Sequence, residues 1–326
     1  MTEEITRGIY RIAVPLPNNP LRSLNSFLIQ GKDRNLLIDT GFNHSECLAA
    51  LSASLDELGV DKEQTDIFLT HLHADHIGLC ERIAAPGSRI LMGRTDLAYM
   101  QRMSQPGYWD SMDPYYVSLG FSPAELDENK HSHPFVRFGP ENAREYTAVD
   151  EGHVFDLGHY RLQTVETPGH TPGHMCLHDP AEKLLFCGDH IIFSITPNIA
   201  TWPGFENPLA HYQQSLKKVQ ALDVSLALSA HRDPSGDCKQ RIEELLAHHR
   251  ERLAETLEIV QAQPGLNGYE IAARMRWQIR AKSWVDFPIN QKWFATGEAA
   301  AHLEALLAQG AIGCEETAGQ MIYFAL

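Results

Sequence analysis

Four short segments of this 326-residue sequence carry side chains able to ligate metal: THLHADH with His71, His73, Asp75 and His76, ETPGHTPGH with His170, LLFCGDH with Asp189, and LALSAHRDP with His231. A lone His170 or His231 would read as a satisfied core or surface histidine, but three histidines and an aspartate within six residues have no ordinary packing purpose. Imidazole nitrogen and carboxylate oxygen, without thiolate, suit Zn2+ or a harder first-row cation and leave it electrophilic. We assign His71, His73 and His170 to one cation, Asp75, His76 and His231 to a second, and Asp189 as the bridge. Two cations in contact with one water hold a hydroxide near neutral pH, which is hydrolytic chemistry. Asp75 is the candidate catalytic residue, orienting that hydroxide or passing a proton to the leaving group.

Loops that converge in this way need a scaffold that delivers them to one edge. Apolar runs of strand length precede the motifs: Ile67 to Leu69, Tyr160 to Glu166, Lys183 to Cys187 and Val224 to Ser229. Further strands are expected at Ile9 to Val14, Ser26 to Gln30, Asn35 to Ile38, Arg89 to Met92 and Met175 to His178, with helices at Ser45 to Leu58, Ile77 to Ala85 and Pro208 to Leu222. Strands interleaved with helices indicate a layered α/β core. Strand alternation would let His71 and His73 point to the same side, before the chain turns and aims Asp75 and His76 at a second position.

Two regions depart from this pattern. Residues 93 to 151 hold short helical pieces rich in Met and aromatic side chains, an insertion of the kind that forms a lid or a packing subdomain. From residue 237 onward a long amphipathic helix, Cys238 to Gln263, leads to helices at Tyr269 to Arg276 and Glu298 to Gln309. Strands at Ala311 to Cys314 and Gln320 to Phe324 then flank a turn, an order that suggests a winged helix. The expected division is residues 1–236 for the catalytic domain and 237–326 for the linker helix and smaller domain.

Composition narrows the function classes. The net charge of -15 disfavours a general polyanion binder. No run approaches the roughly 20 apolar residues of a membrane span, and MTEEITRGIY lacks the features of a secretory signal, so a cytoplasmic protein is expected. Six scattered cysteines without a CxxC pair read as buried thiols, Cys187 beside the Gly188-Asp189 turn included.

THLHADH, TPGHTPGH, GDH after LLFC, and SAHR, preceded by LLIDTG, resemble the metallo-β-lactamase superfamily in identity and order, over roughly residues 5 to 235. The resemblance implies an αβ/βα four-layer sandwich with two metal ions at one edge between the sheets, most simply Zn2+, with Fe or Mn as alternatives. It also implies that Asp39 of LLIDTG supports the ligands from behind. The C-terminal region resembles the winged helix attached to one branch of the superfamily, whose linker helix is similar to QRIEELLAHHRER here. One departure is Ser229-Ala230-His231-Arg232 where the family often has PGHG, which puts the orientation of His231 in question.

The implied reaction is attack by a metal-bridging hydroxide on a carbonyl or phosphoryl centre. A small-molecule ester, thioester or lactone fits the aromatic insertion, which would line an apolar pocket more readily than a phosphate groove. An endoribonuclease or phosphodiesterase is the alternative, and Arg274, Arg276, Arg280 and Lys282 with Trp277 and Trp284 would be its nucleic-acid patch. Residues 239–326, however, carry nine Lys/Arg against eleven Asp/Glu, which fits packing on the catalytic domain or a second subunit of a homodimer better. A third reading is an iron-dependent, persulfide dioxygenase-like oxidoreductase. His44, His190 and Trp202 are candidates for supporting the ligands or lining the pocket, whereas His174 should brace its turn.

Overall fold

The runs Leu36 to Ile38 and Leu184 to Cys187 are apolar on both faces, and the computed structural model, which describes residues 2–278 and 281–326, shows why. Two sheets lie face to face with helices outside each. The first is built in chain order from β1 (Thr2–Thr6), β2 (Ile9–Pro15), β3 (Ser23–Ile29), β4 (Asn35–Ile38), β5 (Thr65–Leu69), β6 (Ile90–Gly93) and β7 (Thr147–Val149). Its first four strands pair antiparallel and β4 to β7 pair parallel. The second has the order β12-β11-β10-β9-β8, from β8 (Val154–Asp156), β9 (Arg161–Glu166), β10 (Met175–Asp179), β11 (Leu184–Gly188) and β12 (Leu226–Ser229), with only β11 and β12 parallel.

Alternation along each strand divides its side chains between two cores. Leu36, Ile38 and Phe68 face inward to meet Leu184, Phe186 and Leu228, and the Phe27 and Phe186 rings meet edge-on at 5.4 Å. Leu37, Ile67 and Leu69 face outward against α1 (Ser45–Glu57) and the two short helices α2 (Ala74–Ile77) and α3 (Cys80–Ile83). The sequence reads 77–85 as one helix; two single-turn helices form instead, so that His76 lies within the first of them. On the far side Leu185, Cys187 and Ala227 pack under α9 (Pro208–Gln220) and the start of α10 (Cys238–Ala262). Each fully buried Leu, Ile or Phe contributes about 1.5–3 kcal/mol, which holds the sheets in register and every loop at their common edge in place.

The insertion folds as α4 (Arg94–Met103), α5 (Tyr108–Ser111), α6 (Asp113–Ser118), α7 (Pro123–Ser132) and α8 (Pro134–Phe138), with a capping box at Ser122 and Glu125 starting α7. It ends earlier than its loss of pattern suggests, because Thr147–Val149 is already a strand of the first sheet. Beyond α10 come β13 (Leu266–Asn267), α11 (Gly268–Arg274), α12 (Ile289–Ala308), β14 (Ile312–Thr317) and β15 (Gln320–Ala325), with strand order β13-β15-β14. α12 starts nine residues earlier than expected from Glu298, since Ile289 and Trp293 already bury against the insertion. Tyr116 of α6 stacks on Trp293 with ring centroids 3.3 Å apart. No helix among the described residues is long and apolar enough to cross a membrane.

Candidate metal centre

The four motif loops leave β5, β9, β11 and β12 at one edge of the two sheets, and their side chains meet. His71 Nε2 lies 3.1 Å from His73 Nδ1, which lies 3.0 Å from His170 Nε2. Close by, His76 Nε2 is 3.2 Å from His231 Nε2, which is 3.3 Å from an oxygen of Asp75. Asp189 stands between the groups: Oδ1 is 3.6 Å from His76 Nε2 and 3.5 Å from His231 Nε2, while Oδ2 is 3.7 Å from His170 Nε2. His71 and His73 converge from the loop after β5, so the turn rather than strand alternation brings them together.

Hydrogen bonds behind the rings determine which nitrogens carry protons. His170 Nδ1 donates to the carbonyl of Asn198 at 2.7 Å, His231 Nδ1 to that of Ser23 at 3.0 Å, and His76 Nδ1 to Asp39 at 2.8 Å. Thr70 Oγ1 donates to Asp39 at 2.8 Å, so it can only accept from His71 Nδ1 at 3.0 Å. With the rings neutral, four Nε2 lone pairs and the Nδ1 of His73 therefore face one another and two carboxylates across separations of 3.0–3.7 Å. Tetrahedral ligands at about 2.0–2.1 Å from a zinc ion stand about 3.3 Å apart. Asp189 Oδ1 is also buried without a hydrogen-bond partner. A donor set that is convergent and unsatisfied fits divalent cations.

The electrostatics agree. Burial and neighbouring imidazoles hold His71 well below the usual histidine range and His73 at about 3, in the neutral form a ligand needs. At His76 and His231 burial also disfavours charge, yet the surrounding aspartates outweigh it and raise both, the same negative field that would attract a cation. Burial opposes ionisation of Asp75 as well, but His76 and His231 keep it at about 2.

The supporting residues fall into two classes. Asp39, in left-handed backbone at φ 58°, accepts from the Thr70 amide, the Thr70 hydroxyl and His76. His174 braces as expected, since its Nε2 accepts from the Asp189 amide at 3.1 Å and its Nδ1 meets Thr167 at 2.8 Å. Trp202 stacks on His73 at 5.9 Å and lines the adjoining cavity. His44 lines the same cavity while capping α1. The His190 ring lies 6.0 Å from that of His174, against Tyr212 at 5.3 Å and outside the cavity lining. Cys187 is buried and its thiol is pushed well up by desolvation, which suits packing and not reactivity.

Three supporting residues escape sequence reasoning. Asp96, fully buried in the first turn of α4, accepts from Leu72 N at 3.0 Å, Thr171 Oγ1 at 2.6 Å and Gly173 N at 2.6 Å, and so ties the THLHADH loop to the TPGH loop. Asn25 on β3 donates to the carbonyls of Ser229 and Arg232 and clamps the His231 loop. That clamp, with the Ser23 carbonyl, aims His231 inward despite the Ser-Ala-His-Arg departure. Asn198 orients His170. An acid in a helix's first turn is ordinary N-terminal charge, and asparagines in loops are commonplace, so no local signal singles these out.

The sequence model of the metallo-beta-lactamase superfamily matches residues 20–231, which include all seven converging side chains. The chain belongs to this superfamily. Among metallo-beta-lactamase relatives, a family protein of Thermus thermophilus has the same fold with a TM-score of 0.83 at 26% identity, covering 99% of this chain and 100% of that one. Lactamase-like protein adaB of Aspergillus niger is 25% identical over 79% of this chain. The atrochrysone carboxyl ACP thioesterase of Aspergillus fumigatus is 25% identical over 77% of it. The chain spans 66% of the length of the former and 48% of the latter.

Proposed function

We propose that this chain is a binuclear metal-dependent hydrolase of small apolar esters, with acyl thioesters first among them and lactones next. The observation that carries this is a cavity of about 580 Å3 that reaches His73, Asp75, His170 and Asp189 at its base. Its walls include Trp109, Met112, Tyr116 and Phe135 from the insertion and Trp293 and Phe294 from α12. Such a lining removes apolar acyl surface from water at about 25 cal/mol per Å2 and offers little to a polyphosphate backbone. The thioesterase relative supports the thioester choice.

His71, His73 and His170 would hold one ion and Asp75, His76 and His231 the other, with Asp189 shared. Two Zn2+ ions bound there would supply a strongly acidified water at neutral pH and polarise the scissile carbonyl. Asp75 faces the cavity and remains ionised, so it can accept a hydrogen bond from the attacking water and align it. Trp202 and His44 line the approach, and the apolar walls exclude bulk water from the acyl side.

The C-terminal residues fit a winged helix whose role is structural. Arg276 bonds Glu255, Arg274 bonds Gln263 and the Glu270 carbonyl, Trp277 stacks under Arg252, and Trp284 packs on Tyr269. Arg280 lies outside the described residues. Arg274 and Arg276, though exposed, and both tryptophans have partners within the C-terminal segment, which supports packing over nucleic-acid binding and an enzyme acting on small molecules.

Metal analysis of untagged protein and parallel assays on acyl thioesters, lactones and single-stranded RNA test the proposal. Two zinc equivalents with metal-dependent thioester hydrolysis are expected. RNA cleavage alone, or one iron with oxygen uptake, would overturn it.

A further inference from the structure

α12 does more than wall the cavity. The loop between β11 and α9 passes between the metal centre and this helix and is bonded to it repeatedly: Thr201 N donates to the Gly297 carbonyl at 3.3 Å, and Asn207 N to Glu304 at 3.1 Å. The approach is close enough that a Cβ on Gly297 would sit 3.1 Å from that of Ala200. In the middle of this seam the Asn198 amide donates to Glu298 Oε2 at 2.8 Å and reaches the Phe294 carbonyl at 3.4 Å. The carbonyl can only accept, which directs the NH2 group towards α12 and makes Glu298 the acceptor of its stronger bond.

Asn198 thus has two ends with different partners. Its side chain is held by Glu298, and its backbone carbonyl receives the Nδ1 proton of His170 at 2.7 Å. That second bond selects the tautomer with a bare Nε2 and sets the plane of the ring. Glu298 is itself nearly buried, 9% exposed, with Arg252 of α10 3.7 Å away. Arg252 is in turn held by Glu255 and by the Arg276 carbonyl at 3.0 Å. An unbroken series of polar contacts runs from the linker helix through Glu298 and Asn198 to one side chain of the metal centre.

We propose that Glu298 is a positioning residue for the metal centre, fixing His170 as a ligand through Asn198, so that the site is completed by the C-terminal segment. The proposal rests on the reading of His170 as a metal ligand. It explains why a carboxylate is buried at the seam, where an apolar side chain would pack without the cost of desolvating a charge. Gln at this position keeps an acceptor for the Asn198 amide, whereas Ala removes it.

The test measures Zn2+ affinity by competition with a chromogenic chelator, together with the visible spectrum of Co2+-loaded protein, for wild type, H170A, E298A, E298Q and N198A. All are checked by chelator-treated urea unfolding. H170A sets the scale for a lost ligand. We expect E298A and N198A each to weaken one of the two ions about 10- to 100-fold, as loss of a ligand's hydrogen-bonded support does, and to alter the Co2+ bands. E298Q should stay within about threefold of wild type, and E298A/N198A should be no weaker than either single variant. If H170A binds both ions as tightly as wild type, the ligand reading falls and this proposal with it. If H170A weakens binding while N198A and E298A do not, or if E298Q is as impaired as E298A, the positioning role alone falls. Should E298A fail to fold, N198A with wild-type affinity is sufficient to overturn the proposal.

Discussion

Asp96→Ala is the sharpest probe of how the two ligand loops are held together. The carboxylate accepts from Leu72 N, Thr171 Oγ1 and Gly173 N, and none of the three has water to turn to. The Thr171 hydroxyl can rotate away, but the two amides cannot, and each orphaned donor costs about 1–3 kcal/mol. Part of that is returned because burial disfavours the charge, pushing the carboxyl up to about 7 against its three donors. A net loss of about 2 kcal/mol is expected, read as a lower urea midpoint at unchanged slope in excess chelator. Since the folded pKa is raised above the unfolded one, the stability Asp96 contributes is fullest below about pH 4 and declines as pH rises to about 7. The gap between wild type and D96A should therefore narrow from pH 5 to pH 8. Asp96→Asn should be no milder: whichever way the amide is turned, its NH2 meets a backbone N–H. Zn2+ affinity should fall about 10- to 100-fold in both, because both loops lose their common anchor. A D96N protein with wild-type midpoint and metal affinity would refute the reasoning.

Three further outcomes are expected. Asp66 is buried among Arg34 and Arg89; burial raises its pKa, but those guanidinium contacts outweigh it and hold the carboxyl below its ordinary value. Asp66→Asn should cost about 2–3 kcal/mol at pH 7, and since the folded pKa is depressed, the difference from wild type should vanish as pH falls through the acid range below 4, followed by urea midpoints. Gly169→Ala should destabilise the His170 loop, because at φ 142° a Cβ would lie 2.5 Å from Tyr212 Cα; a wild-type melting temperature with two bound zinc ions would contradict this. Trp293→Ala removes a cavity wall and the Tyr116 stack, so KM for aryl thioesters should rise about tenfold or more with kcat nearly unchanged, while short acetyl thioesters should be affected less.

Much of the layered core is legible in the strands themselves. Leu36-Leu37-Ile38 and Leu184 to Cys187 are apolar at every position because alternate side chains enter different cores, and that run length is what marks them as strands covered on both faces. β7 and β8 are three residues each, and β13 only two, so they carry too little periodicity to be read. The helix at 77–85 was broken by packing: a turn that aims Asp75 and His76 inward cannot also continue a regular amphipathic face.

By itself the sequence singled out the seven candidate donors. Histidine and aspartate clustered behind strand ends have a chemical meaning that does not depend on geometry, and the seven side chains do converge. Only the tertiary structure decided how they are held and what they face. Asp96, Asn25 and Asn198 act through a few hydrogen bonds to chain segments from about 24 to more than 200 positions away. The cavity is likewise shared between the insertion and α12, which lie well over a hundred residues apart. Contacts between distant segments leave no periodic trace in either one, because hydrogen-bond partners and packed surfaces are selected by the folded shape and not by neighbours along the chain.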